Sequence, residues 1–238
     1  MTSILRRITA ELELLSNPEK AKILSRFFKT GKGEYGEGDI FLGIMVPEQR
    51  KVAKKYQTAS LNDLHKLISD KIHEHRFVAL LILTEKYNKA DLKGRKSYYA
   101  FYIDHLPRIN NWDLVDVSAD SILGDYLLDE DTAILSRLSE SDSFWERRIS
   151  IMATFAFIKK NRFADALKIA ELLVHDRHDL IHKAVGWMLR EIGKRDQAIE
   201  ESFLRTHYTI MPRTMLRYAI EKFDKKRRQF YLNKKYSR

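Results

Sequence analysis

Apolar residues recur along this chain with the three-to-four-residue spacing of a helix almost from end to end, and no other feature narrows its fold as much. Phe77, Leu80, Leu81 and Thr84 share one helical face, and Phe163, Leu167, Ala170 and Val174 follow the i, i+4, i+7, i+11 rule. Nine glycines and four prolines punctuate 238 residues, and long stretches hold neither. Helix starts are marked instead. Pro18 and Pro47 suit first-turn positions, Ser60 to Asp63 reads as a variant capping box, and Ser143 to Glu146 as a full one. The pattern predicts about a dozen helices of roughly 10 to 17 residues joined by short connections, with no alternating strand among them. Without a heptad long enough for a coiled coil, the expected class is all-α, an α-solenoid of stacked helix pairs spanning residues 1–238 as a single domain. Trp112, Trp145 and Trp187 fit one helix pair per repeat, although the repeat is degenerate. The longest irregular stretch, residues 30–43, holds five of the nine glycines. The segment 224–238 reads as a last helix or a basic arm.

Composition limits the setting and the partners. The chain has no cysteine, so neither disulfides nor thiolate metal sites are available, and a reducing cytoplasm is expected. The N-terminal residues lack a signal-peptide core, and no apolar run approaches the roughly 20 residues that span a bilayer. The net charge is +10 and unevenly spread. Residues 205–238 carry 11 Lys/Arg against 2 Asp/Glu, whereas residues 104–146 carry 2 against 11. Such a basic segment suits a polyanion, nucleic acid being the commonest, or is simply a solvated lysine face.

Two motifs are set aside on context. Gly31 to Gly36 matches the GxGxxG pattern, but a helix end precedes it where a nucleotide site needs a strand, so it reads as an inter-helix loop. His175, His178 and His182 have ligand-like spacing, yet the polar run from His175 to Asp179 reads as a turn and N-cap that separates them. No metal site is expected, and no nucleophile elbow or Cys–His pair is present for acyl transfer.

The tryptophan segments carry more. On a wheel of about 100° per residue, Trp112, Val115, Ala119, Ile122, Leu123 and Tyr126 form one stripe. Asp116 lies at its edge, with Asp120 and Asp113 progressively nearer solvent. A carboxylate one turn from a tryptophan at a core edge suits a catalytic role, or is an ordinary acidic helix edge. In the apolar helix from Trp145, Arg148 falls among core positions and needs an anionic partner, Asp116 or a phosphate, while Arg147 points away from Trp145. In the helix through Trp187, Ile181, Val185, Met188, Leu189 and Ile192 face the core. Trp187 lies opposite, flanked by Lys183, Arg190 and Lys194, an arrangement suited to nucleic acid or covered by a neighbouring repeat.

Four motifs in series, Asn111 to Asp116, Trp145 to Arg148, Lys183 to Glu191 and Met211 to Glu221, resemble the HEAT-like-repeat DNA glycosylases of the AlkD type. The stretch Phe28 to Arg50 is similar as well, except that Met45 stands where a basic residue is expected. The resemblance implies excision of positively charged N3-alkyladenine and N7-alkylguanine from duplex DNA by a monofunctional enzyme. It needs no cofactor, obligatory protein partner or membrane, and the protein is expected to act as a monomer. Carried over by motif, Asp116 is the catalytic carboxylate, Trp112 and Trp187 are aromatic walls around the lesion, and Arg148 is a phosphate or active-site contact. Arg190 and Arg213 become backbone contacts, joined by Lys183, Lys194 and Lys159. A non-catalytic HEAT-like nucleic-acid-binding module and a protein-binding scaffold are the alternative readings.

Overall fold

The first turn of each helix shows why the chain breaks where it does. In the computed structural model, which describes residues 3–233, the opening helices are α1 (Ile4–Leu14), α2 (Pro18–Phe27), α3 (Val46–Lys55) and α4 (Leu61–Ile68). They are followed by α5 (His73–Lys89), α6 (Leu92–Asp104) and the short α7 (Trp112–Asp116). Both anticipated prolines occupy first turns, of α2 and α3. Ser60 and Asp63 close a reciprocal capping box on α4, Asp63 N–H donating to Ser60 Oγ at 3.2 Å and Ser60 N–H to Asp63 Oδ2 at 3.0 Å.

Chain contacts divide the molecule into two compact units, the first ending at Ser118 and the second beginning at Ala119. In the first, α5 is the central helix, buried from His73 through Leu83 and again at Tyr87. It packs against α3, α4 and α6. Each fully buried leucine, isoleucine or phenylalanine there contributes about 1.5–3 kcal/mol over an exposed one. The same helix closes the glycine-rich loop. The wholly buried Glu74 accepts the backbone N–H groups of Leu42, Gly43 and Ile44 at 2.9, 2.9 and 3.2 Å. Gly43 is required on two counts: its φ is +84°, and a Cβ would lie 2.2 Å from the Asn17 carbonyl oxygen. Residues 31–36 form turns between a helix and an isolated bridge, as expected of an inter-helix loop.

The second unit opens with a π-helical turn, Ala119–Gly124. Then come α8 (Ala133–Ser139), α9 (Phe144–Ala153), α10 (Phe155–Lys159), α11 (Ala164–Leu172), α12 (Asp179–Gly193), α13 (Gln197–His207), α14 (Arg213–Ala219) and α15 (Lys225–Asn233). Of the basic segment 224–238, residues 225–233 are therefore helical and the last five lie outside the described residues. The expected core face of α12 is buried in full, and α9 is buried almost all round. Two expectations fail. Ser143 makes no side-chain cap on α9, and its own N–H, which Glu146 would accept in a capping box, goes to Ser141 Oγ at 3.1 Å. On α11 the expected stripe fails at its first half: Phe163, the N-cap, and Leu167 are half-exposed, while Ala170 and Val174 are buried together with Ala166 and Ile169.

Gly186 lets two helices of this unit pack backbone against backbone. A Cβ there would lie 2.4 Å from the Met215 carbonyl oxygen and 2.5 Å from Tyr218 Cβ, so α14 rests directly on the α12 backbone. Gly186→Ala should lower unfolding free energy by about 1–3 kcal/mol, the usual cost of overpacking. Urea denaturation checks this, and a midpoint unchanged from wild type would contradict it.

Candidate active site

Helix α7 is five residues long, too short to be stable by its own hydrogen bonds. Tertiary anchors hold it. Asn111, fully buried, accepts the Trp112 backbone N–H on Oδ1 at 2.8 Å and donates from Nδ2 to Asp39 at 3.3 Å. Asp113 accepts from the Leu114 N–H on Oδ1 and from His73 Nε2–H on Oδ2, both at 2.8 Å. His73 Nδ1–H donates to Asp39 Oδ2 at 3.1 Å, and Arg76 Nη2 to Asp39 Oδ1 at 2.6 Å. Both imidazole nitrogens thus face carboxylates and both must carry protons. An imidazolium and a guanidinium then balance Asp39 and Asp113, which makes burial of the four tolerable.

Electrostatics follow this geometry. Burial pushes His73 down, but the charge and hydrogen bond of Asp113 and the hydrogen bond of Asp39 outweigh it and raise the group to about 9. Burial pushes Asp39 up, and the His73 and Arg76 contacts overcome that to hold its carboxyl below the usual range.

Aromatic rings complete the support. Trp112 stacks on Phe28 at 5.1 Å, Phe28 on Phe41 at 5.0 Å, and Phe41 on His73 at 4.4 Å. Phe27, 62% exposed, meets Trp112 edge-on at 5.9 Å. Asp116 ends α7 one turn after Trp112 and is half-buried, so the two principal candidates share one short, braced helix. The continuous helix expected from Trp112 to Tyr126 does not form. The α-helical path stops at Asp116 and resumes as a π turn at Ala119, so Asp113 is not turned to solvent but bonded to His73. Periodicity does not single out His73, Asp39 or the Phe28–Phe41 stack. The polar run His73 to Arg76 at the head of an apolar helix was the available signal.

In the second unit, Arg148 is 5% exposed and donates from Nη1 to the Leu180 carbonyl oxygen at 2.7 Å. Arg147, expected to point away, is the residue in a tight ion pair, its Nε 2.6 Å from Asp176. Trp187 is half-buried rather than fully outside the core; its Nε1–H donates to Glu191 at 3.3 Å and its ring lies 6.4 Å from Phe155. It stands in the middle of α12, whereas Trp112 and Trp145 stand at helix starts, so the tryptophans do not mark one repeat register.

The surrounding cations have carboxylate partners. Lys183 pairs with Asp179 at 2.7 Å, Lys194 with Glu191 at 2.5 Å, Lys159 with Asp120 at 2.8 Å, and Arg190 with Glu221. Lys159 also sits 5.1 Å over the Phe155 ring, and Arg213 donates to the Leu232 carbonyl oxygen at 2.9 Å. The three lysine side chains are 39–45% exposed, but only Lys183 faces an exposed carboxylate, Asp179 at 57%; that ion pair is worth about 0–1 kcal/mol, so a phosphate can displace it cheaply. Arg190, at 16%, is more firmly committed. His178 caps α12 and His182 bonds to the Asp176 carbonyl oxygen at 2.5 Å, which makes the histidine-rich stretch the expected helix boundary.

A sequence model of the family described as "DNA alkylation repair enzyme" matches residues 8–223. The chain belongs to that family. A search of curated proteins gives no match. Among solved structures, this family member is similar to a predicted DNA alkylation repair enzyme from Enterococcus faecalis, with a TM-score of 0.70 and 20% identity, covering 88% of this chain and 97% of the other. It is also similar to AlkD2 from Streptococcus mutans (TM-score 0.55, 15% identity, 87% and 98% covered). A third likeness is to smu.31 from Streptococcus mutans UA159 (0.54, 16%, 93% and 100%). These likenesses show the fold, the all-α helical-repeat class expected from the sequence. Family membership gives the protein a role in repair of alkylated DNA, as an enzyme acting on DNA.

The buried cluster has a consequence for stability. His73 rises from 6.5 to about 9 on folding, so its contribution is complete below pH 6.5 and is lost as pH climbs through 9. The amount is about 3 kcal/mol. Glu200 on α13 also favours lower pH: burial, reinforced by Glu201 and opposed by Arg190, raises it from 4.5 to about 8. Stability measured by denaturation should therefore fall from pH 6.5 to 9 in the wild type and in Glu200→Gln. In His73→Gln the part lost above pH 8 should disappear.

Proposed function

We propose that this protein is a monofunctional alkylpurine DNA N-glycosylase that removes N3-alkyladenine and N7-alkylguanine from duplex DNA. The observation that carries the reading is the pairing of Trp112 and Asp116 one turn apart on a helix fastened at its first turn. Family membership supports alkylated DNA as the substrate.

The chemistry fits these residues. Alkylation at N3 or N7 makes the base a cation, so it leaves as a neutral molecule and needs no general acid. The sugar left behind is oxocarbenium-like, and the Asp116 carboxylate stabilises it while orienting the water that attacks it. Glycosidic bond cleavage and water addition balance with release of one proton to solvent, without metal or organic cofactor. The Trp112 face favours the cationic nucleotide by an amount on the order of 1–2 kcal/mol when desolvated. Its ring is pre-oriented by the Phe28 stack, so little conformational freedom is lost on binding.

The second-unit roles rest on the motif resemblance. Trp187 is assigned as a second aromatic contact and Arg148 as a phosphate or active-site contact. Lys159, Lys183, Lys194, Arg190 and Arg213 are assigned to the DNA backbone, where their charge would supply most of the affinity and its salt dependence. The protein is read as a monomer spanning residues 1–238 as one functional domain, with no obligatory protein partner.

Purified protein incubated with methylated duplex DNA should release 7-methylguanine and 3-methyladenine. Asp116→Asn should cut single-turnover release on the order of 100-fold or more while binding is kept. Replacing Lys159, Lys183 and Lys194 by alanine should each lower the slope of log affinity against log salt by about one. Tight, salt-sensitive binding without release would make the protein a binding module instead. Weak binding at physiological salt would point to a scaffold.

A further inference from the structure

Among the buried polar groups that the proposed chemistry does not use, His73 touches several supports of α7 at once. His73 is 2% exposed and lies at the start of the central helix α5. Its Nε2–H reaches Asp113 in the first turn of α7, and its Nδ1–H reaches Asp39 in the glycine-rich loop. Asp39 in turn holds Asn111, whose side chain caps the Trp112 N–H. The imidazole face stacks on Phe41 and lies 5.2 Å from Phe28, the ring on which Trp112 rests. Arg76 reaches Asp39 but has no bond to α7 among those described. His73 thus joins the α5 core to Asp113 on α7 and to the loop carboxylate that holds the Asn111 cap, with its face against the rings that support Trp112.

We propose that His73 is a positioning residue, which as an imidazolium bridging Asp39 and Asp113 fixes the first turn of α7 and so aims Trp112 and Asp116. The proposal rests on the reading of those two residues as aromatic wall and catalytic carboxylate. The groups facing His73 are Asp39 from the loop, Asp113 from α7 and Arg76 from its own helix, with the rings of Phe28 and Phe41 against its face. Loss of one imidazole proton sets a nitrogen lone pair against a carboxylate, so a bond to the loop or to α7 becomes a repulsion. A five-residue helix has few hydrogen bonds of its own with which to resist such a repulsion. A displacement of about 1 Å in a catalytic carboxylate can cost about 100-fold in rate. The loss should fall on the chemical step and spare DNA binding, because the proposed backbone contacts lie on other helices.

Three measurements on the full chain decide the matter. Imidazole nitrogen NMR should show His73 protonated on both nitrogens at pH 7 and titrating near pH 9. Single-turnover release of 7-methylguanine from saturated duplex should fall about tenfold or more through that same midpoint, with Kd for undamaged duplex at fixed salt unchanged. Asp113→Asn should lower the rate at pH 7 by at least about tenfold, again at unchanged Kd, and bring the His73 titration down. A singly protonated His73 at pH 7 would overturn the proposal. So would a release rate indifferent to the His73 titration or to Asp113→Asn. If Asp113→Asn does not fold, the two wild-type titrations still decide. If wild type releases no methylated base, the glycosylase reading fails instead, and the Trp112 indole resonance takes over as the readout. Its shift with the His73 midpoint supports positioning, and its indifference overturns it.

Discussion

Between Asp39 and Asp113 a single imidazole ring donates in both directions, and the first unit is arranged around making that contact possible. Placing two carboxylates and two cations below the surface is expensive unless every charge is matched. The match comes from three distant parts of the chain: the loop supplies Asp39, the head of α5 supplies His73 and Arg76, and α7 supplies Asp113. Neighbouring Glu74 solves a second problem with the same helix turn. Its carboxylate absorbs three backbone N–H groups of a loop that has no sheet or helix to pair with. The glycine-rich loop is therefore set by α5, and α7 is set by both.

The second unit divides its positive charge by exposure. Lys159, Lys183 and Lys194 keep their ammonium groups half-exposed in ion pairs, whereas Arg147 and Arg148 are built into the protein by carboxylate and carbonyl contacts. Basic residues in one motif thus do different work: Arg147 ties α9 to Asp176, and Arg148 ties it to the first turn of α12. The absent side chain at Gly186 brings Arg213 and Arg217 of α14 close to α12, which carries Lys183, Trp187 and Arg190.

Much of this was legible in the residues. Long amphipathic or wholly apolar periods gave α5, α9 and α12 their identity and faces, since helical burial repeats every three to four residues whatever the partner. First-turn prolines and the Ser60–Asp63 box were equally readable, because capping is a local reaction between neighbours. Ser143 shows the limit. The same residue types form no box there: Ser143 Oγ caps nothing, and the Ser143 N–H goes to Ser141 rather than to Glu146. The site was half legible: a tryptophan and an aspartate one turn apart could be picked out, but not what holds them.

What the sequence determined by itself was the helical class, the main core faces, the uneven charge and, through four motifs in order, the family. What only the tertiary structure decided was the state of the individual charges. The wheel carried α7 straight through to Tyr126 and sent Asp113 towards water. The chain instead stops at Asp116, turns through a π-helical segment and gives Asp113 to a histidine 40 residues away. Periodicity records which side of a helix is apolar. It holds no information about which remote group will share a buried proton, because that depends on contacts formed only when the loop, α5 and α7 meet.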